Sequence, residues 1–268
     1  MTRVSEEFPP GSVVLVGGGP GDPGLMTLAG LAALRSADVI AHDRLGPQSL
    51  LSQARPDAEI LDVAKFPRGD CTPQEQINRL LVDRARAGRR VVRLKGGDSF
   101  VFGRGGEEWQ ACTEAGIPVR VVPGVSSAVA APALAGIPVT HRTLSQGFCV
   151  VSGHVPPGDP RSQVDWPALA RIGTTLVILM GVHNLDPICR TLMTAGLPAT
   201  RPAAVIVDAG GPRMCVVRGC LGNVADAARV AQVRPPAVVV IGAVAGLDLA
   251  GPSGPADAAG SAQEPTAR

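Results

Sequence analysis

A lysine, two glycines and an aspartate stand together at Lys95-Gly96-Gly97-Asp98, where the largely apolar run Val91-Val92-Arg93-Leu94 ends. Adjacent glycines let a ligand approach backbone amides and carbonyls directly, and Asp98 can accept hydrogen bonds from ribose hydroxyls or an amino group. Arg104 and Glu107 follow, three apart, at the start of a predicted helix, where a glutamate also favours the positive end of the helix dipole. By spacing alone this pair reads equally as part of a site or as an exposed ion pair worth about 0–1 kcal/mol. Two more glycine-rich turns follow apolar runs, at Gly17-Gly18-Gly19-Pro20-Gly21-Asp22 and at Pro123-Gly124-Val125-Ser126-Ser127. Three such turns in the first half of the chain point to a small-molecule site on one edge of a sheet.

The first turn does not fit dinucleotide binding. A GxGxxG frame begun at Gly17 meets Asp22 at its third glycine, and Pro20 and Pro23 stiffen the turn. No GxxxxGK[ST] follows any strand, which excludes phosphate cradling of that type. The four histidines, 42, 141, 154 and 183, lie far apart, and the six cysteines show no CxxC. Turn and packing roles for the histidines and free thiols for the cysteines are therefore expected, with no metal.

The elements that must hold these turns alternate in the manner of a parallel α/β architecture. Strands are predicted near 12–17, 37–41, 59–63, 90–94 and 119–122, with helices near 27–36, 74–88, 106–115 and 125–135. Thr72 and Pro73 suit the start of the second helix, whose Ile77, Leu80, Leu81 and Ala85 share a face. The second half predicts strands near 148–152, 174–179, 203–207, 214–218 and 237–242, with helices near 165–171, 184–195 and 223–230. The expected division is an extension 1–11, an α/β domain 12–135, a linker 136–147, a second α/β domain 148–249 and a disordered tail 250–268.

At 268 residues and 45% hydrophobic content the chain can fill a substantial core. A net charge of +2, with two Trp, five Phe and no Tyr, excludes the basic, base-stacking surface of a nucleic-acid binder. No apolar run reaches membrane-spanning length and the N-terminus lacks a leader pattern, so a cytoplasmic protein with no membrane partner is expected. Of the 25 basic residues only two are lysines, Lys65 and Lys95. A retained lysine points to a need for a smaller head or a more easily shifted pKa.

Several segments in order resemble the tetrapyrrole methylase family. They are VGGGPGDPGLMTLAGLAALRSADVIAHDRL from Val16, RLKGGDSFVFGRGGEE from Arg93 and VVPGVSSAVAAPALAGIPVTHR from Val121, with weaker support from TPQEQINRLL, VSGH and TLVILMG. The resemblance implies two α/β domains with a cofactor cleft between them, usually in a homodimer, and S-adenosylmethionine as methyl donor. Pro20, Gly96, Gly97, Asp98, Val101, Ser126, Ser127, Met180 and Ala209 fall on cofactor-binding positions. Asp43 and Lys65 fall on the family's proposed proton acceptor and donor, and Arg104, Glu107 and Arg142 on positions that meet a carboxylate-rich tetrapyrrole or move protons.

The implied reaction places two methyl groups on uroporphyrinogen III, giving precorrin-2 and two S-adenosylhomocysteine on the way to siroheme or cobalamin. Asp43 is the better base, because an arginine is hard to deprotonate. The resemblance uses so much of the chain that no further catalytic domain is expected. The pattern departs from the family at His42, Phe66, Leu179 and Cys215. The alternatives are a methyltransferase for a later precorrin or a specialised metabolite, and a protein that binds cofactor or tetrapyrrole without turnover.

Overall fold

The computed structural model describes residues 8–63, 73–247 and 249. The chain divides into two compact units, Met1–Ser127 and Ala128–Arg268. The first is built on five strands, β1 (Val13–Gly17), β2 (Val39–His42), β3 (Glu59–Asp62), β4 (Val91–Lys95) and β5 (Val119–Val122), in the order β3-β2-β4-β1-β5. All of their pairings are parallel, as the alternation of strands and helices predicts.

Every residue of β1, β2 and β4 is buried, so these strands need apolar side chains on both faces. On one face Val14, Val16, Ile40, Val92 and Leu94 pack with α1 (Leu28–Ser36). On the other, Val13, Leu15, Val39, Ala41 and Val91 meet α2 (Gln74–Arg86) and Cys112 of α3 (Gly105–Glu114). The crossover leaving β1 thus covers one face and the crossover leaving β4 covers the other. Between the carboxyl ends of two such neighbours an open α/β sheet leaves a crevice.

Helix α2 buries Ile77, Leu81, Val82 and Ala85, with Leu80 half-buried at the edge of the expected face. Its first residue is Gln74 and Pro73 precedes it; Thr72 lies outside the described residues.

The second unit holds β6 (Phe148–Ser152), β7 (Thr175–Leu179), β8 (Pro202–Val207), β9 (Cys215–Cys220) and β10 (Ala237–Ile241), in the order β6-β7-β10-β8-β9. Here the expectation of a parallel sheet is corrected. Strands β6 and β7 pair in parallel, whereas β10 runs antiparallel to both β7 and β8, and β9 antiparallel to β8. The link from β8 to β9, residues 208–214, is shorter than the roughly dozen residues a parallel crossover requires.

Helices α5 (Trp166–Arg171), α6 (Leu185–Thr194) and α7 (Val224–Val230) cover one face of this sheet. The other face is covered by α4 (Ser127–Leu134), whose Ala128 and Ala131 pack with Val177, Ile206 and Val240.

Candidate active site

The three glycine-rich turns of the first unit converge at the carboxyl ends of β4, β1 and β5. Gly18 N–H donates to Lys95 O at 2.7 Å, and Gly19 and Gly97 exchange two backbone hydrogen bonds of 3.1 and 2.6 Å. A Cβ on Gly17 would fall 2.5 Å from Gly124 N, and one on Gly124 would fall 2.3 Å from Gly97 O. These glycines are needed because backbone packs on backbone with no room for a methyl group. Asp98 closes the arrangement: Oδ1 accepts from Phe100 N–H at 2.8 Å and Oδ2 from Gly124 N–H at 3.0 Å. The structure therefore gathers Pro20, Gly96, Gly97, Asp98, Ser126 and Ser127 at one sheet edge, with Val101 exposed on the turn beyond Asp98.

Asp43 lies in the turn after β2 and is tied to the same edge. Its Oδ1 accepts from the N–H groups of Leu45 (3.0 Å), Gly46 (3.3 Å) and Gly96 (3.2 Å). Among the described residues, its Oδ2 meets the longer arm of the Gly96 bond, at 3.4 Å, and an Arg93 Nη2 at 3.7 Å. His42 before it is buried, with Nδ1 3.1 Å from Asp43 O, a contact that is a hydrogen bond when the Nδ1 tautomer is protonated.

Arg104 and Glu107 are brought together, but with each other. Arg104 precedes α3 at φ +57° and grips Glu107 through Nε–Oε1 (2.7 Å) and Nη2–Oε2 (2.6 Å). This two-pronged bond pushes the guanidinium above its usual value and holds its proton more firmly.

Beneath the Gly96–Arg104 turn lies a buried charge cluster. On β4, Val91, Arg93 and Lys95 point to the α2/α3 face, and burial there of two cations demands an anion. Glu108, with no exposed surface, supplies it: Oε1 accepts from Arg93 Nε (3.0 Å), Lys95 Nζ (3.0 Å) and Gln74 Nε2 (3.2 Å). Lys95 Nζ is also 3.0 Å from Oε2, an ion pair without hydrogen-bond alignment. Burial, reinforced by the Arg93 charge, holds Lys95 below the usual ammonium value despite Glu108.

The sequence reading missed Arg93 and Glu108. The signal was there, in two same-face cations on a strand that is otherwise apolar, and in the spacing Gly105, Glu108, Cys112 that puts Glu108 on the inward stripe of α3.

In the second unit Met180 and Ala209 follow β7 and β8, at the ends that flank the start of β10. Met180 stands exposed at φ +56°, and Ala209 follows Asp208 at φ +48°. Arg142 is not brought to them. It lines an open recess with Gly147 and Thr174, which precede β6 and β7, at the opposite end of the sheet. Leu179 and Cys215 sit half-buried at strand ends, paired with Val238 and Val207. Lys65 and Phe66 lie outside the described residues. Among those described, no cluster of His, Cys, Asp or Glu could hold a metal, and Cys112, Cys149, Cys189, Cys215 and Cys220 are free thiols.

Residues 12–225 match the family model of the Tetrapyrrole (Corrin/Porphyrin) Methylases. A uroporphyrinogen-III C-methyltransferase of Methanocaldococcus jannaschii is 44% identical over 235 residues, which cover 87% of this chain and 96% of that protein. A siroheme synthase of Nitrosomonas europaea is 41% identical over 247 residues, 92% of this chain and 52% of the relative, so the chain spans about half the length of several curated relatives it matches. A crystal structure of a uroporphyrin-III C-methyl transferase from Thermus thermophilus, complexed with S-adenyl homocysteine, is 41% identical with a TM-score of 0.74, over 87% of this chain and 98% of that one. The order of the turns, the sheet that carries them and these matches agree: the chain belongs to the tetrapyrrole (corrin/porphyrin) methylases.

Proposed function

We propose that this methylase transfers two methyl groups from S-adenosylmethionine to uroporphyrinogen III, yielding precorrin-2. The observation that carries the reading is the hydrogen bond from Gly96 N–H to Asp43, which fixes a carboxylate beside the Gly96-Gly97-Asp98 turn. The uroporphyrinogen-III C-methyltransferase relative, matched over nearly its whole length, supports the choice of substrate.

The residues present fit the methyl donor. Each Asp98 oxygen accepts one backbone N–H and keeps a lone pair for a ribose hydroxyl, while Gly97 before it carries no side chain. Ser126 and Ser127 add half-buried hydroxyls at the same edge. When bound, S-adenosylmethionine supplies a methyl group already activated as a sulfonium.

The protein's own work is alignment and proton removal. Asp43 is the acceptor in this reading, and Oδ2 is the atom that takes the proton, because Oδ1 already receives three N–H groups. Arg104 is the poorer base, since its guanidinium is doubly bonded to Glu107; it serves better to bind substrate carboxylates, with Glu107 holding its orientation. Lys65 is proposed as proton donor. A cytoplasmic homodimer feeding siroheme or cobalamin synthesis belongs to the same reading; among the described residues no helix is long and apolar enough to cross a membrane.

The test is an anaerobic assay with uroporphyrinogen III and S-adenosylmethionine, following S-adenosylhomocysteine and the mass of the tetrapyrrole. A gain of two methyl groups is expected. No gain by protein that still binds S-adenosylhomocysteine would refute the substrate assignment.

A further inference from the structure

We infer that Glu108 is a positioning residue for methyl transfer, acting through Arg93 on Asp43. This rests on the reading of Asp43 as the proton acceptor. Arg93 is the bridge: Nε donates to Glu108 Oε1 at 3.0 Å and Nη2 lies 3.7 Å from Asp43 Oδ2. Its Nη1 donates to Leu94 O at 2.8 Å and Ala41 O at 3.4 Å, the latter two residues before Asp43 on β2. All three nitrogens of the guanidinium are thus engaged, on β2, β4 and α3.

The charges make this cluster more than packing. Glu108 carries one negative charge against the two cations Arg93 and Lys95, all three almost fully buried, and ionised Asp43 completes the balance. A buried charge left unbalanced is expensive, so the four groups hold one another in place. Glu108 also stands next to Glu107 in the first turn of α3, so one turn fixes Arg104 outside and Arg93 inside. Removing the Glu108 charge frees Arg93 to swing toward Asp43 Oδ2, the atom proposed to take the proton.

The experiment is a double-mutant cycle of Glu108→Gln and Asp43→Asn, read by single-turnover methyl transfer, with S-adenosylhomocysteine affinity and thermal unfolding measured on each protein. Gln keeps the shape and an acceptor oxygen but removes the charge. Glu108→Gln is expected to lower the transfer rate roughly tenfold or more while cofactor affinity stays within about threefold, and to cause less than about a twofold further loss in the Asp43→Asn background.

An unchanged rate in Glu108→Gln, or an equal loss in both backgrounds, overturns the inference while Asp43→Asn, if slow, leaves the reading of Asp43 standing. Full activity of Asp43→Asn overturns both. If Glu108→Gln does not fold, Arg93→Lys takes its place in the cycle: a single ammonium keeps the charge but cannot span Glu108 and Asp43, so the same loss and the same non-additivity are expected. Additive losses there overturn the inference equally.

Discussion

Gly124→Ala tests the claim that the site is assembled from backbone packed on backbone. The added Cβ would lie 2.3 Å from Gly97 O and 2.5 Å from Gly17 C and O. Ordinary contact begins about an ångström further out, and the atoms in the way are main chain, so the turn after β5 must move as a body. Overpacking of this kind costs about 1–3 kcal/mol. The same movement draws Gly124 N–H from Asp98 Oδ2, now 3.0 Å away, and a hydrogen bond to a charged group contributes about 1.5–3 kcal/mol.

The two effects share one displacement and do not add in full, so a loss of about 2–4 kcal/mol in urea unfolding is expected. S-Adenosylhomocysteine titration should show at least a tenfold weaker affinity, because Asp98 and Gly97 are displaced together. Gly106→Ala is the control: nothing lies within 4 Å of its Cβ, its φ is ordinary and it sits in α3, so it should stabilise by about 0.4–1 kcal/mol. Wild-type stability and affinity in Gly124→Ala would sink the reasoning.

Two further outcomes follow from buried ionisable groups. Burial pushes the Cys112 thiol up to about 11 and the Cys189 thiol up to about 12, so neither should be alkylated in the folded protein at neutral pH, and mass mapping should find both modified only after denaturation. Lys95 is held low by burial, so the folded chain releases this proton before the unfolded chain does; its contribution to stability should be flat below the folded value and grow as pH rises from there toward 10.5. Subtracting the urea unfolding profile of Lys95→Met isolates that slope. Because Arg93 still faces Glu108 in the variant, its cost at neutral pH should fall below the roughly 3–5 kcal/mol of a wholly broken buried pair.

The strand positions were legible because both sheets are covered on both faces, and unbroken runs such as VVLVG and AVVVI bounded by glycine or proline admit few other readings. That same property hid strand direction in the second unit. A strand buried on both faces looks alike whichever way it runs, and only the short link after Val207 betrayed the antiparallel pairing of β8 and β9. The placement of β10 between β7 and β8 is a long-range choice with no local signature.

At the candidate site the turns could be read and their reasons could not. The turns at Gly17 and Gly124 counted among the three that pointed to a small-molecule site, yet the closest neighbours of these glycines are each other and Gly97. Arg104 and Glu107 were visible by spacing, whereas Glu108, one residue on, carried no exposed-site pattern because its partners lie on a different element.

The departures at His42 and Leu179 bear on what this chain can be expected to do. His42 is buried and contacts the main-chain oxygen of Asp43, and Leu179 pairs with Val238 through its main chain. The fixed points of the candidate site are likewise made largely of backbone: Gly96 N–H on Asp43, Gly124 N–H on Asp98, and the paired bonds of Gly19 and Gly97. A site held in this way tolerates substitution of side chains that share its neighbourhood but not its hydrogen bonds. It should not tolerate a Cβ on Gly124 or a lost carboxylate at Asp98. Of the side chains that set its geometry, Asp43 and Arg93 meet across the neighbouring strands β2 and β4, Asp98 ties the turn after β4 to the turn after β5, and Glu108 holds Arg93 from α3, so changes in chemistry should follow those four more closely than the residues at which the family pattern is broken.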